Sequence, residues 1–298
     1  MRSSELQKYL KMPITRDCDY NLLGFIETAI PKTLVYIVDK SSLNKALENE
    51  NISGIITTAE LSEFVPLDLG LIVYEDPYSV FNQIHDIMNN YYSTKSKSTI
   101  SVKAIIHPSA IISEYDVIIG DDVLIEENVV IKAGVVIGKS SIIRSNTVLG
   151  GEGYEVKFIK DKYIVINHNG KVLIGQDVEI QYNCCVDKGI LGKDTIIQDN
   201  TKINNLCHIA HCVNIGNSCR IGAKVSISGS VVVGDDVWIG PGSTISNGLN
   251  LGSECKVTIG STVLRDVPSG QTVTGYYAQD HKTFLRNYLK LFKPNRIL

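Results

Sequence analysis

The stretch INNLCHIAHCVNIGNSCRIG, residues 203–222, returns isoleucine at every sixth position: Ile203, Ile209, Ile215 and Ile221. A helix repeats every 3.6 residues and a strand every two, so neither generates this spacing alone. Followed outward, the pattern runs from Ile197 through Ile227, Val233, Ile239, Ile245, Leu251 and Val257 to Val263. An upstream run carries Ile119, Ile125, Ile131, Ile137, Ile143 and Leu149. Between them, Ile174, Ile180 and Val186 form a third block, one residue out of step with the run that starts at Ile197. Four residues after the aliphatic positions stand small or β-branched residues, among them Thr201, Cys207, Val213, Cys219, Val225 and Ser243. Each hexad therefore reads as one short strand and one corner, and three hexads as one 18-residue coil of a β-solenoid. Stacked coils bury an aliphatic ladder that a single coil cannot. Glycine often follows the aliphatic residue, as at Gly216, Gly222, Gly234 and Gly240, and is expected to free the backbone at bends.

The rest of the chain is organised around this repeat. Residues 1–98 do not repeat, and they alternate predicted strands (33–39, 52–58, 70–76) with predicted helices (41–49, 77–92), the pattern of a small α/β domain. A further short helix is predicted in SSELQKYL (3–10), and STKSKST (93–99) reads as a polar linker. The solenoid domain is placed at 99–273, its repeat beginning near His107-Pro108 and fading at about Pro268. GGEGYEVKFIKDKYIVINHNGK, 150–171, breaks the rhythm and must leave as a loop; its alternation suggests a hairpin. A tail at 274–298 carries one predicted short helix over 277–292.

Composition narrows the function. With 29 Lys and Arg against 32 Asp and Glu, the net charge of −3 argues against a nucleic-acid binder. No apolar run reaches the roughly 18 residues of a membrane span, and the N-terminus lacks a signal-peptide core, so a cytoplasmic location is expected. The seven cysteines form no CxxC pair or zinc spacing. Cys184, Cys207, Cys219 and Cys255 take the small inward position, whereas Cys18, Cys185 and Cys212 fall outside it. Neither a metal nor a tightly bound cofactor is expected. Of the six histidines, His85, His107, His168 and His281 read as surface or packing residues. His208 and His211 lie mid-solenoid. Spacing alone leaves them open as polar outer-face residues or as equal candidates for chemistry.

The pattern resembles the hexapeptide-repeat, left-handed parallel β-helix proteins, most of them homotrimeric acyltransferases. More closely, DNTKINNLCHIAHCVNIG (199–216), LGGEGY (149–154), KVLIGQDVEIQYNCCVDKG (171–189) and VYEDPYSVF (73–81) resemble the N-acyltransferase of lipid A biosynthesis, which acylates UDP-3-O-(3-hydroxyacyl)glucosamine. That resemblance places the general base on His211 in Ile209-Ala210-His211-Cys212, with cysteine where asparagine is usual. It implies active sites between subunits of a homotrimer, a uridine-binding first domain and an acyl donor carried on acyl carrier protein. Tyr36 would serve as a uracil-stacking aromatic, and Glu152, Tyr154 and His208 are candidate substrate contacts. Gly229 follows His211 by one 18-residue coil and is a candidate oxyanion donor.

Three positions depart from the family pattern. Ser42 stands where a second stacking tyrosine is expected, Gly248-Leu249 replaces a Gly-His pair, and the C-terminal helices are reduced to one. STVLRDVPSGQTVTGYYA (261–278) resembles acetyl-coenzyme A-dependent sugar acetyltransferases instead. The expectation is therefore N-acylation of a nucleotide-linked amino sugar for a surface polysaccharide, by acetyl transfer from coenzyme A. The alternative is the lipid A enzyme. A solenoid carbonic anhydrase would need three converging histidines, a nucleotidyltransferase would open with a Gly-rich loop, and a bare scaffold needs neither insertion nor added domain.

Overall fold

The structure, a computed structural model, describes residues 1–10, 13–91, 95–159, 161–275 and 278–291. The N-terminal domain opens with a 3-10 turn (Ser3–Leu6) and the single turn α1 (Gln7–Leu10). Strands β1 (Leu22–Leu23), β2 (Thr33–Tyr36), β3 (Ile52–Thr57) and β4 (Gly70–Val73) then form a parallel sheet in chain order. β2, β3 and β4 are near-continuous apolar runs, as a parallel sheet covered on both faces requires. Helix α2 (Lys40–Leu47) starts at Asp39, whose carboxylate accepts the Ser42 N–H at 2.9 Å and the Ser42 hydroxyl at 2.6 Å. Ser42 is thus a capping partner rather than part of a base-stacking pair. One turn, α3 (Ala59–Ser62), precedes β4, and α4 (Pro77–Tyr91) follows it with proline at the first helical position.

The solenoid is a left-handed parallel β-helix of three sheets. One face holds eight strands from Ile111–Ile112 to Thr262–Val263 and includes His208–Ile209. The second holds eight from Thr99–Ile100 to Asn250–Leu251, the third nine from Ile105–Ile106 to Thr272–Val273. We call them the His208, Asn214 and Arg220 faces. The first strand pairs Ile100 with Ile119, so the coils begin at Thr99, ahead of the predicted His107-Pro108. The earliest coil escapes the run that begins at Ile119 because it is one residue out of step: Ile106 pairs with Ile125 and Ile112 with Ile131, each 19 residues on instead of 18.

Inside, the aliphatic residues stack into one core that includes Ile197, Ile203, Ile209, Ile215 and Ile221. Cys184, Cys207, Cys219 and Cys255 are buried in it, as expected. The inward polar residues close on backbone carbonyls: Thr201 Oγ1 donates to Gly216 O at 2.8 Å, and the Cys207 thiol to Gly222 O at 3.1 Å. That explains why small hydrogen-bonding residues share this position with valine.

Two corrections concern the corners. The left-handed residue of each hexad lies three, not one, after the aliphatic position: Asn200, Leu206, Cys212, Ser218, Lys224 and Ser230 all have φ near +60°. Gly216 and its equivalents are needed for room instead, since a Cβ on Gly216 would lie 2.6 Å from the Gly234 backbone of the next coil. Second, the block one residue out of step marks a five-residue insertion. Val186 pairs with Ile209, 23 residues on, whereas Ile209 pairs with Ile227 after the regular 18. Five extra residues and a deficit of one are indistinguishable in a six-residue rhythm.

The long insertion does form a hairpin, Val156–Ile159 antiparallel to Lys162–Val165. Both insertions leave the corner between the His208 and Asn214 faces, on successive coils. They meet the N-terminal domain there: Ile166, Ile190 and Cys212 cluster with Phe25 and Leu191. After the last coil, α5 spans His281–Leu291, inside the predicted 277–292, whose two end residues lie outside the described ones.

Two glycines separate the roles of room and rotation. Gly242 has φ +71°, and a Cβ there would have no atom within 4 Å, so Gly242→Asn is expected to cost under about 1 kcal/mol. Gly216→Asn should cost about 1–3 kcal/mol or more by overpacking. Denaturant unfolding of the two variants checks the difference.

Candidate active site

The corner that emits the insertions carries His211 one coil further along, between strands His208–Ile209 and Asn214–Ile215. Strand alternation turns Ile209 inward and His208 outward, and the corner then swings His211 beneath the hairpin. The imidazole is mostly covered, with 18% of its side chain accessible. Its Nε2 lies 3.9 Å from Glu155 Oε2 at the hairpin's base, while Nδ1 is buried and has no hydrogen-bond partner among the described residues. The ring rests on Gly229, where a Cβ would sit 2.5 Å from it. Gly229 is therefore glycine to admit the histidine. Its N–H makes no hydrogen bond among the described residues, unlike those of Ser228 and Ser230 on either side.

His211 and Gly229 open onto a cavity of about 290 Å³ that also reaches Tyr36, Tyr78, Glu155 and Lys157. Tyr36 ends β2, and Tyr78 lies in the first turn of α4; their rings meet edge to face, centroids 5.0 Å apart. Burial pushes both phenols above their ordinary range. Lys157 bonds Glu155 at 2.7 Å and lies 5.9 Å over the Tyr78 ring, at the limit of a cation–π contact. Sequence reasoning found His211, Gly229 and Tyr36 and missed the other three. Tyr78 pairs with Tyr36 on the cavity wall, whereas Ser42 caps α2; the sequence context VYEDPYSVF was the available signal for Tyr78.

The remaining candidates lie elsewhere. His208 stands on the outer surface of its strand, its Nε2 2.9 Å from Asp187 Oδ2. The hydrogen bond that the His208 ring donates to Asp187 raises the His208 pKa above the ordinary value, with burial opposing. Glu152 holds Lys188 at 2.7 Å and accepts the His168 N–H, lining an adjoining cavity of about 720 Å³. Tyr154 is 84% exposed and reaches neither cavity. His168, read as a surface or packing residue, is wholly buried against His211 with ring centroids 5.3 Å apart. Cys212, next to His211, adopts φ +59°, a region that asparagine enters more readily, and its sulfur receives the Ile190 N–H at 3.4 Å.

The His208–Asp187 pair sets a pH dependence. A histidine pKa raised by folding adds stability below its unfolded value, about 6.5. That contribution disappears as pH rises through the folded value. The stability gap between the parent and Asp187→Asn should therefore be widest just below pH ~6.5 and narrow on raising the pH. Titration of the His208 ring by NMR should show its midpoint falling in the variant.

No described helix is long and apolar enough to cross a membrane. Residues 116–151 match the family described as bacterial transferase hexapeptide (six repeats), and 155–254 match the GMPPB C-terminal domain. The UDP-3-O-acylglucosamine N-acyltransferase of Caulobacter sp. (strain K31) is 35% identical over 144 residues, covering 48% of this chain and 42% of that one. Its counterpart in Acinetobacter baumannii (strain AYE) is 39% identical, covering 71% and 66%. Among solved structures, a UDP-N-acetylglucosamine acyltransferase from Campylobacter jejuni aligns with a TM-score of 0.49 at 23% identity, over 65% of this chain and 84% of that one. The chain spans 42% of the length of the first of these relatives. With its repeats matched and its ladder complete, the chain is a hexapeptide-repeat β-helix protein similar to the UDP-3-O-acylglucosamine N-acyltransferases.

Proposed function

We propose that this protein transfers an acyl group from a thioester to the amine of a UDP-linked, 3-O-acylated glucosamine, with His211 as general base. The observation that carries the reading is the convergence of His211, the Gly229 N–H, two tyrosines and Lys157 on one cavity. The relatives' names supply the sugar, and they favour this reading over the acetylation of a nucleotide-linked amino sugar from acetyl-coenzyme A expected from the sequence.

The reaction needs an uncharged amine and a group to take its proton. As the nitrogen attacks the thioester carbonyl, the N–C bond forms and a proton passes to His211 Nε2. The carbonyl oxygen becomes an oxyanion, for which the Gly229 N–H is a donor. Collapse breaks the C–S bond, and the departing thiolate receives the proton from His211. Tyr36 and Tyr78 offer the uracil an aromatic wall, and Lys157 can exchange Glu155 for a phosphate oxygen.

The donor in this reading is an acyl chain on acyl carrier protein, and the active unit is a cytoplasmic homotrimer. The faces flanking the His211 corner support self-association, because they expose Ile111, Ile118 and Val232. The Arg220 face exposes Ile105 in its first coil and presents Arg144 between Glu126 and Glu179, both at 2.7 Å. The resemblance of 261–278 to acetyl-coenzyme A-dependent enzymes favours a second reading, acetyl transfer.

Offering 3-hydroxyacyl carrier protein and acetyl-coenzyme A separately, with UDP-3-O-acylglucosamine, distinguishes the two by product mass. A hydroxyacyl adduct is expected from the carrier protein. An acetyl adduct alone would establish the second reading, and no adduct would overturn both. His211→Ala should retain its thermal transition and lose about 10²–10⁴ in kcat.

A further inference from the structure

His211 and His168 present two buried ring nitrogens that lack partners among the described residues: His211 Nδ1 and His168 Nε2. Buried polar atoms are almost always paired, so two orphans on touching rings call for one explanation. The other nitrogen of each ring is already committed. His168 Nδ1 lies 2.9 Å from Ile166 O, and a carbonyl can only accept, so the proton of neutral His168 is on Nδ1. His168 Nε2 is then a lone pair. His211 Nε2 faces Glu155 and the cavity, so the reacting nitrogen is Nε2 and the proton of the neutral base belongs on Nδ1.

Building on the acyl-transfer reading above, we propose that His168 is a positioning residue: its Nε2 accepts the His211 Nδ1–H and so fixes the tautomer in which His211 Nε2 is free to act as base. The ring separation suits this. Two imidazoles of roughly 1.1 Å radius joined by a nitrogen–nitrogen bond of about 3 Å have centroids about 5.2 Å apart, against the 5.3 Å found here. The rings meet edge to face at 65° and share no hydrogen bond in this conformation, so making the bond requires a rotation about their side-chain bonds. A base oriented by a third group is the general arrangement for this chemistry.

The surroundings keep His168 an acceptor. Its ring is fully covered, and burial first, then the neighbouring His211, lower its pKa. Gly153 makes room for it, since a Cβ there would fall 2.4 Å from Nε2. Charged groups around the pair are themselves matched: Glu152 with Lys188, Asp187 with His208, and Glu155 with Lys157. The cavity side adds only the phenols of Tyr36 and Tyr78. The segment carrying His168 is fastened to α4, where Asn167 bonds Asp86, Asn169 bonds Asn89, and His85 Nε2 lies 2.7 Å from Asn167 O.

Nitrogen-15 NMR of the ligand-free protein, read alongside kinetics, tests the assignment. Neutral His211 should be the Nδ1–H tautomer in the parent and should shift towards Nε2–H in His168→Leu. That variant should lose about 10–100-fold in kcat with KM nearly unchanged and a displaced pH profile. His168→Gln, whose side-chain oxygen can accept, should recover most of both. A folded His168→Leu protein with unchanged tautomer and kcat overturns the proposal, as does an Nε2–H tautomer in the parent. The tautomer is read without substrate, so failure of the acyl-transfer reading shows separately, as absence of product from the parent enzyme.

Discussion

The hydrogen-bonded register between coils is the constraint on which everything else depends. Each strand is two to four residues long and holds only because the strands above and below fix it, so insertions can leave only where the ladder is not interrupted. The corners are those places. Because the hairpin and the shorter loop leave the same corner on successive coils, they pile up on one edge of the prism and enclose what the next coil presents there. His211 is that residue.

The N-terminal domain completes the enclosure. Leu191 packs against the domain's apolar core, and Tyr36 and Tyr78 arrive at the cavity from the end of β2 and the start of α4. A single wall therefore draws on three parts of the chain. Glu155 and Lys157 come from the hairpin, the aromatics from the domain, and the imidazole from the repeat. The two histidines of HxxH separate cleanly in consequence. His208, on a strand, meets Asp187 on the same sheet, whereas His211, at a corner, meets the insertions.

Much of this was legible in the sequence, for a physical reason. A ladder that repeats every coil writes a period into the chain, so the coils, the buried cysteines and the hairpin could all be read before the structure. Gly229 could be placed against His211 because stacking distance in a solenoid is sequence distance. Features that depend on packing between parts were not legible. His168 and Tyr78 reach the site through the fold of the insertion and of α4, which no spacing encodes. The purpose of the glycines was misread for a related reason: the crowding at Gly216 comes from the coil above, not from its own backbone.

Arg144 adds a mechanical consequence. It bonds Glu126 on the coil before and Glu179 on the coil after, and the chain between Arg144 and Glu179 contains the whole hairpin excursion. In a stack where each layer touches only its neighbours, cohesion is a series of steps, and the weakest step governs where the stack parts. The covalent path is longest at the hairpin step, where the ladder itself pairs three residues on two of the three faces. A cation shared by two carboxylates on the opposite face works as a rivet across that seam. Strain from a ligand prising at the insertion corner would then spread through both layers instead of opening a crack between them.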